Sequence, residues 1–267
     1  MNSKSLAYKK GVQKSLGIAG KLWLRTDVPR EQSRNHWIDQ HAKLAGSTPT
    51  IIDYRQNHFD INSDGVWPDI AGVETKIPYE RRMDGLSILT LKNPLYSLVR
   101  SHKHKKKVFK DEQNAFDRVL MSSPGPGRQY IDEEQGKIGF RTVAMVRKRF
   151  TLHPWKFYKF INDQLGAAFS HALGIIEIRT QAYLPWCTWL WLSPNVKHDL
   201  PMGTAYHGSM VIGAKDFESF KKAFNSDAVQ STMEAQHQFC TAIHAYPVTN
   251  TYHCRGKGKL IYPPDIV

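Results

Sequence analysis

The chain has 267 residues, of which 41% are hydrophobic and 23% are charged, so it can bury a core and is not expected to be disordered as a whole. Lys and Arg number 37 against 24 Asp and Glu, and the formal net charge of +13 favours anionic partners or substrates. The longest apolar stretch, from Ala182 to Leu192, is too short to cross a bilayer, and the three cysteines lack a C-x-x-C pair. We therefore expect a cytoplasmic protein without a membrane span, a disulfide framework or a dedicated metal site.

The predicted elements of the first half follow the order strand, helix, strand, strand, helix, strand. Apolar positions predict a strand near residues 16–25, and Pro29 opens a segment with helical periodicity. Further strands are predicted at 51–59, at Leu86–Leu91 and near 118–122, with a second helix before the last of them. This βαββαβ order is typical of a ferredoxin-like α+β unit, in which helices cover one face of an antiparallel sheet.

The second half repeats this order. The segment Ser122–Gly127 (SSPGPG) is rich in Pro and Gly and predicts a linker between two units. We therefore divide the chain into a first repeat at residues 1–123, a linker at 124–139 and a second repeat at 140–267. The strands predicted for the second repeat lie near 140–149, 175–184, Ser209–Ile212 and 242–248, and its first helix opens at His153.

The two halves also align without gaps at a single offset. Ile51–Arg55 (IIDYR) corresponds to Ile175–Arg179 (IIEIR), an offset of 175 − 51 = 124, and the same offset places Asp39-Gln40 on Asp163-Gln164. A constant register over several segments indicates an internal duplication. We expect the bare faces of the two sheets to join within one chain.

Two motifs lie on adjacent elements of the first half. The predicted helix contains His36–Leu44 (HWIDQHAKL), and the next strand ends in Tyr54–His58 (YRQNH). These segments resemble the EthD-like branch of the dimeric α+β barrel superfamily. The resemblance implies a barrel made from two facing sheets, here supplied by one chain, with a ligand pocket between a sheet and its own helices. It also implies the activities of characterised relatives, which are cofactor-free cyclases, dehydratases and decarboxylases of phenolic or polyketide-like molecules, and other members of the superfamily bind haem.

Alternation along the strand 51–59 assigns its side chains to two faces. The set that includes Asp53 and Arg55 keeps its charges in the second copy, as Glu177 and Arg179. We expect these four residues to pair at the junction between the two sheets. The other set, which includes Tyr54, Gln56 and His58, should face the helix that carries Trp37 and His41.

Comparison of the two copies favours one polar pocket, in the first half. At the offset of 124, His36, His41, Tyr54 and His58 correspond to Phe160, Leu165, Ile178 and Ala182. Buried polar groups cost free energy unless they are paired, so a copy needed only for folding would lose them. A separate site in the second half stays open, because His171, His207, His244 and His253 correspond at the same offset to Ser47, Met83, Leu120 and Gln129.

We predict His41 as the general base, with Tyr54 and His58 orienting or protonating the substrate. The residues predicted to bind substrate are Trp37, His36, Gln56 and Trp67. The alternative is that His41 is a satisfied histidine of the core, which is the usual state of a single histidine on an apolar helix face.

Three functions remain open. The first is a cofactor-independent lyase or cyclase that acts by acid–base catalysis on a hydrophobic aromatic or polyketide-like molecule. The second is a haem enzyme on the same barrel, with His41, His171 or His207 as axial ligand. The third is a non-catalytic basic binding protein. No G-x-G-x-x-G, G-x-S-x-G or H-E-x-x-H motif occurs, which excludes those enzyme families.

The remaining segments indicate surfaces and lids. The basic run His102–Lys107 (HKHKKK) predicts a solvated surface and has no aromatic platform beside it, so nucleic acid is not expected as a partner. Residues 60–83 and 184–207 form long connections, which are usually either functional lids or disordered segments. Within the second connection, Trp186, Trp189 and Trp191 predict a packed wall or an interface. The partners that we expect are a hydrophobic small molecule, neutral or anionic, and a second copy of the chain in a homodimer.

Overall fold

The computed structural model describes residues 7–9, 11–92, 102–184, 193–199 and 203–267, of which 102 and 103 are described by backbone only. Ten strands within these ranges form one antiparallel sheet. The strands are β1 (Gln13–Leu24), β2 (Ile51–Phe59), β3 (Gly85–Leu91), β4 (Phe116–Met121), β5 (Gly125–Ile131), β6 (Phe140–Lys148), β7 (Ile175–Ala182), β8 (Gly208–Ala214), β9 (Cys240–Gly256) and β10 (Lys259–Ile266).

Eight of these strands close into a barrel. Their order is β9-β2-β3-β1-β5-β7-β8-β6, and β6 pairs back onto β9. The two remaining strands add to this circle, β4 on β1 and β10 on β9. The protein is therefore an α+β protein built around a closed antiparallel barrel.

Helices cover the outside of the sheet in both halves. In the first half, α1 (Arg30–His36) continues through a π-helical turn (Trp37–His41) into α2 (Ala42–Gly46), and α3 spans His102–Glu112. In the second half, α4 (Pro154–Lys159) continues through a π-helical turn (Phe160–Leu165) into α5 (Gly166–Ser170). Three short helices follow, α6 (Phe217–Ala223), α7 (Asp227–Met233) and α8 (Gln236–Phe239).

The strand order is the same in the two halves. It is β4-β1-β3-β2 in the first and β9-β6-β8-β7 in the second. Corresponding elements also begin at nearly one offset: β2 and β7 are 175 − 51 = 124 residues apart, and α1 and α4 are 154 − 30 = 124.

The segment predicted as a linker contains a strand. β5 pairs with β1 on one side and with β7 on the other, so it joins the two halves of the barrel instead of only connecting them along the chain. The boundaries of the two units stay a prediction. The last strand is also much longer than the predicted 242–248, because the first part of β9 pairs with β6 and the second part pairs with β2.

The charged groups predicted to pair between the sheets do so. Arg55 lies 3.2 Å from Glu177, and Arg179 lies 2.6 Å from Glu177 and 3.6 Å from Asp53. Arg141, on β6, adds a further ion pair to Glu177 at 3.0 Å. Burial opposes ionisation of Glu177, but the three guanidinium groups outweigh it and hold the pKa of that carboxyl well below its usual range.

The basic run lies on the surface helix α3, where Lys106 and Lys107 are exposed. Cys240 and Cys254 are buried free thiols, and Cys187 lies outside the described residues together with Trp186, Trp189 and Trp191. No helix in the described ranges is long and apolar enough to span a membrane.

Candidate functional site

Four of the predicted site residues meet beneath the first π-helical turn. The rings of Trp37 and His58 stack with centroids 3.9 Å apart. Gln56 Nε2 donates to the Trp37 carbonyl and to the Tyr54 hydroxyl, each at 2.9 Å, and His58 Nε2 lies 3.3 Å from Gln56 Oε1. All four side chains are buried. Burial lowers the pKa of His58 to about 3 and raises the pKa of Tyr54 above its usual range, so both are uncharged at neutral pH.

The other two predicted histidines bind a carboxylate that sequence reasoning missed. His36 Nε2 and His41 Nδ1 each lie 2.9 Å from Asp111, one on each carboxylate oxygen. Burial opposes ionisation of Asp111, but these two imidazoles outweigh it and hold the pKa of the carboxyl below its usual range. Because a carboxylate only accepts, His41 donates from Nδ1, and the neutral form of the ring therefore has its lone pair on Nε2, the tautomer that a general base needs. No local signal could have identified Asp111, since it lies 70 residues from His41 in sequence.

Trp67 does not join this cluster. It packs in the core of the second half, against Phe169 and Phe224, with ring centroids 5.7 and 5.0 Å away. Its indole N–H donates to Gln236 at 3.1 Å. The prediction that Trp67 shares a pocket with Trp37 is therefore wrong in its geometry, because the connection 60–83 crosses to the other half of the molecule.

The first-half cluster is packed rather than hollow. Trp37, Tyr54 and Gln56 are at most 1% exposed and His41 is 6% exposed. The ring of Phe116 fills the space between helix and sheet, 5.6 Å from Trp37 and 5.4 Å from His41. The catalytic roles predicted for His41, Tyr54 and His58 stay a prediction.

A large cavity lies elsewhere, at the end of the sheet where β6 and β7 end and β8 begins. Its volume is about 560 Å³, within the range of small-molecule sites. Its walls come from β1, β4, the start of α4 and the end of the long connection 184–207. The described lining residues are Lys21, Val119, Leu120, Met121, Ser122, Pro126, Lys148, Pro154, Trp155, Phe157, Tyr158, Ala182, Tyr183, Leu184, His198, Ala205, Tyr206 and His207. The walls are thus mainly apolar and aromatic.

Lys21 is the chemically distinctive group of this cavity. It lies in the middle of β1, paired with Leu86 of β3 and Leu120 of β4, and it is 5% exposed. Its Nζ lies 5.0 Å from the centroid of the Tyr183 ring, and within the described residues it forms no ion pair with a carboxylate. Burial lowers the pKa of Lys21 to about 8, because the charged ammonium is desolvated.

The other basic groups of the cavity are already engaged. The Nζ of Lys148 donates to the carbonyls of Arg149, Phe150 and Leu152. His207 Nδ1 accepts from the Lys148 backbone N–H at 3.4 Å. Burial, reinforced by the charges of nearby Lys and Arg side chains, lowers the pKa of His207 to about 4. His207 is therefore a neutral imidazole at pH 7, with its proton on Nε2.

The described lining contains lysine and histidine side chains but no Asp or Glu. An apolar cavity that contains an unpaired ammonium and no Asp or Glu among its described lining residues favours an anionic or electron-rich ligand. The reason is that a buried positive charge is stabilised by a negative charge close to it. Across the described residues, no group of three or more His, Cys, Asp or Glu is arranged to hold a metal ion.

The three histidines considered as haem ligands do not fit that role. His171 is exposed, and its Nε2 contacts the Ala7 carbonyl at 2.7 Å. His41 belongs to the packed first-half cluster and does not line the cavity. His207 does line it, but a ligating histidine donates from its second ring nitrogen, whereas His207 Nδ1 faces the N–H of Lys148.

Sequence reasoning missed Lys21 and Tyr183, although two signals were available. A lysine in the apolar strand AGKLWL is a polar group at a position expected to be buried. The long connection 184–207 was expected to cover a site, and Leu184, His198 and Ala205 from it do line the cavity. What could not be predicted is that β1 and this connection meet.

Comparisons with known proteins concern the fold. No protein-family model matches the sequence, and no curated protein matches it. A solved structure from Lactobacillus acidophilus NCFM, provisionally assigned as a monooxygenase, has a TM-score of 0.54 at 8% identity and covers 96% of this chain and 100% of its own. The structure of an anthrone oxidase-like protein has a TM-score of 0.53 at 8% identity and covers 90% of this chain and 94% of its own. The protein thus has the dimeric α+β barrel fold, here closed within one chain.

Proposed function

We propose that this protein is a cofactor-independent enzyme that binds a hydrophobic aromatic or polyketide-like molecule with an acidic hydroxyl in the Lys21 cavity. The observation that carries the proposal is the Lys21 ammonium, buried in an apolar cavity without a carboxylate partner among the described residues. A substrate phenolate or enolate would supply the missing negative charge. The reaction class is a lyase or cyclase step that passes through this anion, such as dehydration, decarboxylation or ring closure.

The cavity supports such a step in three ways. The apolar walls hold a flat ring system and exclude water, which strengthens the attraction between the substrate anion and Lys21. A lysine with a pKa of about 8 can both accept a proton from the substrate and stabilise the anion that results. The neutral His207 can donate from Nε2 to a substrate oxygen.

The internal duplication, the family branch and the homodimer are also proposals. The shared strand order and the offset of 124 support a tandem duplication of one ferredoxin-like unit. The segments HWIDQHAKL and YRQNH support placement in the EthD-like branch. The homodimer predicted from sequence stays a prediction, which size-exclusion chromatography with light scattering would test.

A second candidate is oxidation of the same class of substrate by dioxygen. The two solved structures with related folds carry oxidative names, and one name refers to an anthrone, a tricyclic aromatic ketone whose enol tautomer is a phenol. A phenolate held by Lys21 is the electron-rich form that reacts most readily with dioxygen. Substrate-dependent oxygen uptake, measured with an oxygen electrode, would distinguish oxidation from a lyase or cyclase step.

Titration with alizarin, a planar dihydroxyanthraquinone whose colour reports phenol ionisation, tests the proposed site. We expect the wild-type protein to bind the dye as its phenolate and to lower the pKa of the dye. Lys21→Met should weaken binding about 10- to 100-fold, the value of a hydrogen bond to a charged group. Lys21→Arg should retain most of the binding because it keeps the cation.

Lys14→Met is the matched control, because Lys14 lies on the same strand but is exposed. Equal loss of binding in Lys14→Met and Lys21→Met would show that only the overall charge matters and would contradict the site. A Soret band in the spectrum of the purified protein would contradict cofactor independence.

A further inference from the structure

We propose that Lys21 acts as a nucleophile and condenses with the carbonyl carbon of a 1,3-dicarbonyl compound bound in the cavity. The inference rests on the proposed function, since it uses the same cavity, but it adds a covalent step and a substrate class. The class is a β-diketone or β-keto acid, the repeating unit of a polyketide-like chain.

Lys21 lacks, within the described residues, the contacts that would keep its amine protonated. An amine is nucleophilic only when its lone pair is free, and an ion pair or several hydrogen bonds keep it protonated. Lys148 shows the contrasting case in the same cavity, because three backbone carbonyls accept from its ammonium. Within the described residues, the Nζ of Lys21 forms neither a hydrogen bond nor an ion pair, and it faces the ring of Tyr183.

The position of Lys21 in the sheet also favours its attack on a bound molecule. The backbone of Lys21 is hydrogen-bonded between β3 and β4 in the middle of the sheet, so the side chain is attached to a rigid strand. The side chain is 5% exposed and lines a cavity of about 560 Å³, so a substrate that occupies the cavity lies within reach of the amine.

The protonation state agrees with this geometry. With a pKa of about 8, roughly a tenth of Lys21 is neutral at pH 7. An exposed lysine, with an ordinary pKa of 10.5, is neutral in well under a thousandth of molecules. Lys21 thus has on the order of 100-fold more reactive amine than a surface lysine.

The step balances without an oxidant or reductant. The Nζ lone pair forms a bond to the carbonyl carbon, the C=O electron pair moves to oxygen, and a proton passes from nitrogen to oxygen to give a carbinolamine. Loss of water then gives the imine. With a β-keto acid, the protonated imine accepts the electron pair of the breaking C–C bond as carbon dioxide leaves, which gives an enamine. A proton from water adds to the α-carbon of the enamine, and hydrolysis of the resulting imine releases the ketone and restores Lys21.

The test uses the full chain and 2,4-pentanedione, a small 1,3-diketone that converts a neutral amine into a conjugated enaminone with loss of one water. We expect a new near-ultraviolet band and a mass increase of one diketone less one water, mapped by peptide mass spectrometry to Lys21. The rate of modification should rise with pH to a midpoint near 8. Lys14→Met should react like the wild type, whereas Lys21→Met and Lys21→Arg should lose the fast modification.

The outcomes separate this inference from the proposed function. Modification spread over surface lysines, or a rate that rises only near pH 10.5, would overturn the nucleophilic role. If alizarin still binds in a Lys21-dependent way in that case, the proposed function stands without the covalent step. If alizarin binding is also independent of Lys21, both fail. Circular dichroism of Lys21→Met and Lys21→Arg establishes that each variant is folded.

Discussion

At the scale of single residues, His41 has a hydrogen-bond partner that the sequence did not indicate. Its Nδ1 donates to Asp111, a carboxylate that is 16% exposed and that His36 also contacts. Polar side chains buried in this manner stabilise a fold through the hydrogen bonds that they satisfy. The same contact sets the tautomer for general base catalysis, so the residue itself is compatible with both a structural and a catalytic role.

We expect His41→Ala to lower the free energy of unfolding by about 1–3 kcal/mol, because the partly buried Asp111 loses one of its three side-chain donors, His36, His41 and Asn114. Alizarin binding at Lys21 should not change. Urea denaturation and dye titration measure the two effects, with the exposed His237→Ala as control. Abolished turnover with unchanged stability would contradict this expectation and support the catalytic role predicted for His41.

At the scale of elements, the two π-helical turns are informative together. Such turns often occur at functional sites. Here one turn spans Trp37–His41 and the other spans Phe160–Leu165, and their last residues differ by 165 − 41 = 124. Since the second turn has apolar Leu165 where the first has His41, the irregular turn belongs to the fold and does not by itself mark a catalytic residue.

Strand β5 depends on glycine for its place in the barrel. A Cβ at Gly125 would collide with the backbone carbonyl of Ala182, and a Cβ at Gly127 would collide with that of Thr180. The glycines of the segment that was predicted to be a linker therefore allow the backbone of β5 to lie close to the backbone of β7. β5 also contributes Pro126 to the cavity wall.

We expect Gly125→Ala to destabilise the protein by about 1–3 kcal/mol or more, because the backbone of β7 has to move. Alizarin binding should weaken as well, since Ala182 and Pro126 both line the cavity. Thermal unfolding and dye titration measure these effects. Ile131→Ala is the control on the same strand, where the side chain is 45% exposed and a change within about 0.5 kcal/mol is expected. Equal stability of the two variants would contradict the close approach of β5 and β7.

At the scale of the whole molecule, Glu177 connects the two halves of the barrel. It is 2% exposed and pairs with Arg55 of the first half and with Arg141 and Arg179 of the second. Removing one member of a buried ionic network leaves the others uncompensated, which costs more than the network contributes as a whole.

We expect Glu177→Gln to lower the free energy of unfolding by about 3–5 kcal/mol. Because the folded pKa of Glu177 is below its ordinary value of 4.5, the wild-type advantage should be present above pH 4.5 and should decrease as the pH falls below it. Urea denaturation at several pH values measures both, with the exposed Glu234→Gln as control. An advantage that does not change with pH would contradict the ionic origin of the stabilisation.

Much of the fold could be predicted because its signals are local. Alternation of apolar residues locates β2 at the predicted residues 51–59, and Pro29 and His153 directly precede α1 and α4. Comparison of the two halves of the sequence also identified the charged residues that pair between the sheets, since Asp53 and Arg55 correspond to Glu177 and Arg179. Each of these inferences needs only the chain itself and a period or an offset.

The position of the cavity could not be predicted from local signals. Lys21, Tyr183 and His207 come from distant segments, and only closure of the barrel brings them to one end of the sheet. The histidines of the first half predicted a polar cluster. The sequence did not show whether that cluster encloses an open pocket, and in the structure the ring of Phe116 fills the space. Hydrophobic period and register thus determined the elements and their faces, whereas the location of empty space followed from how side chains of many segments pack together, which no single segment encodes.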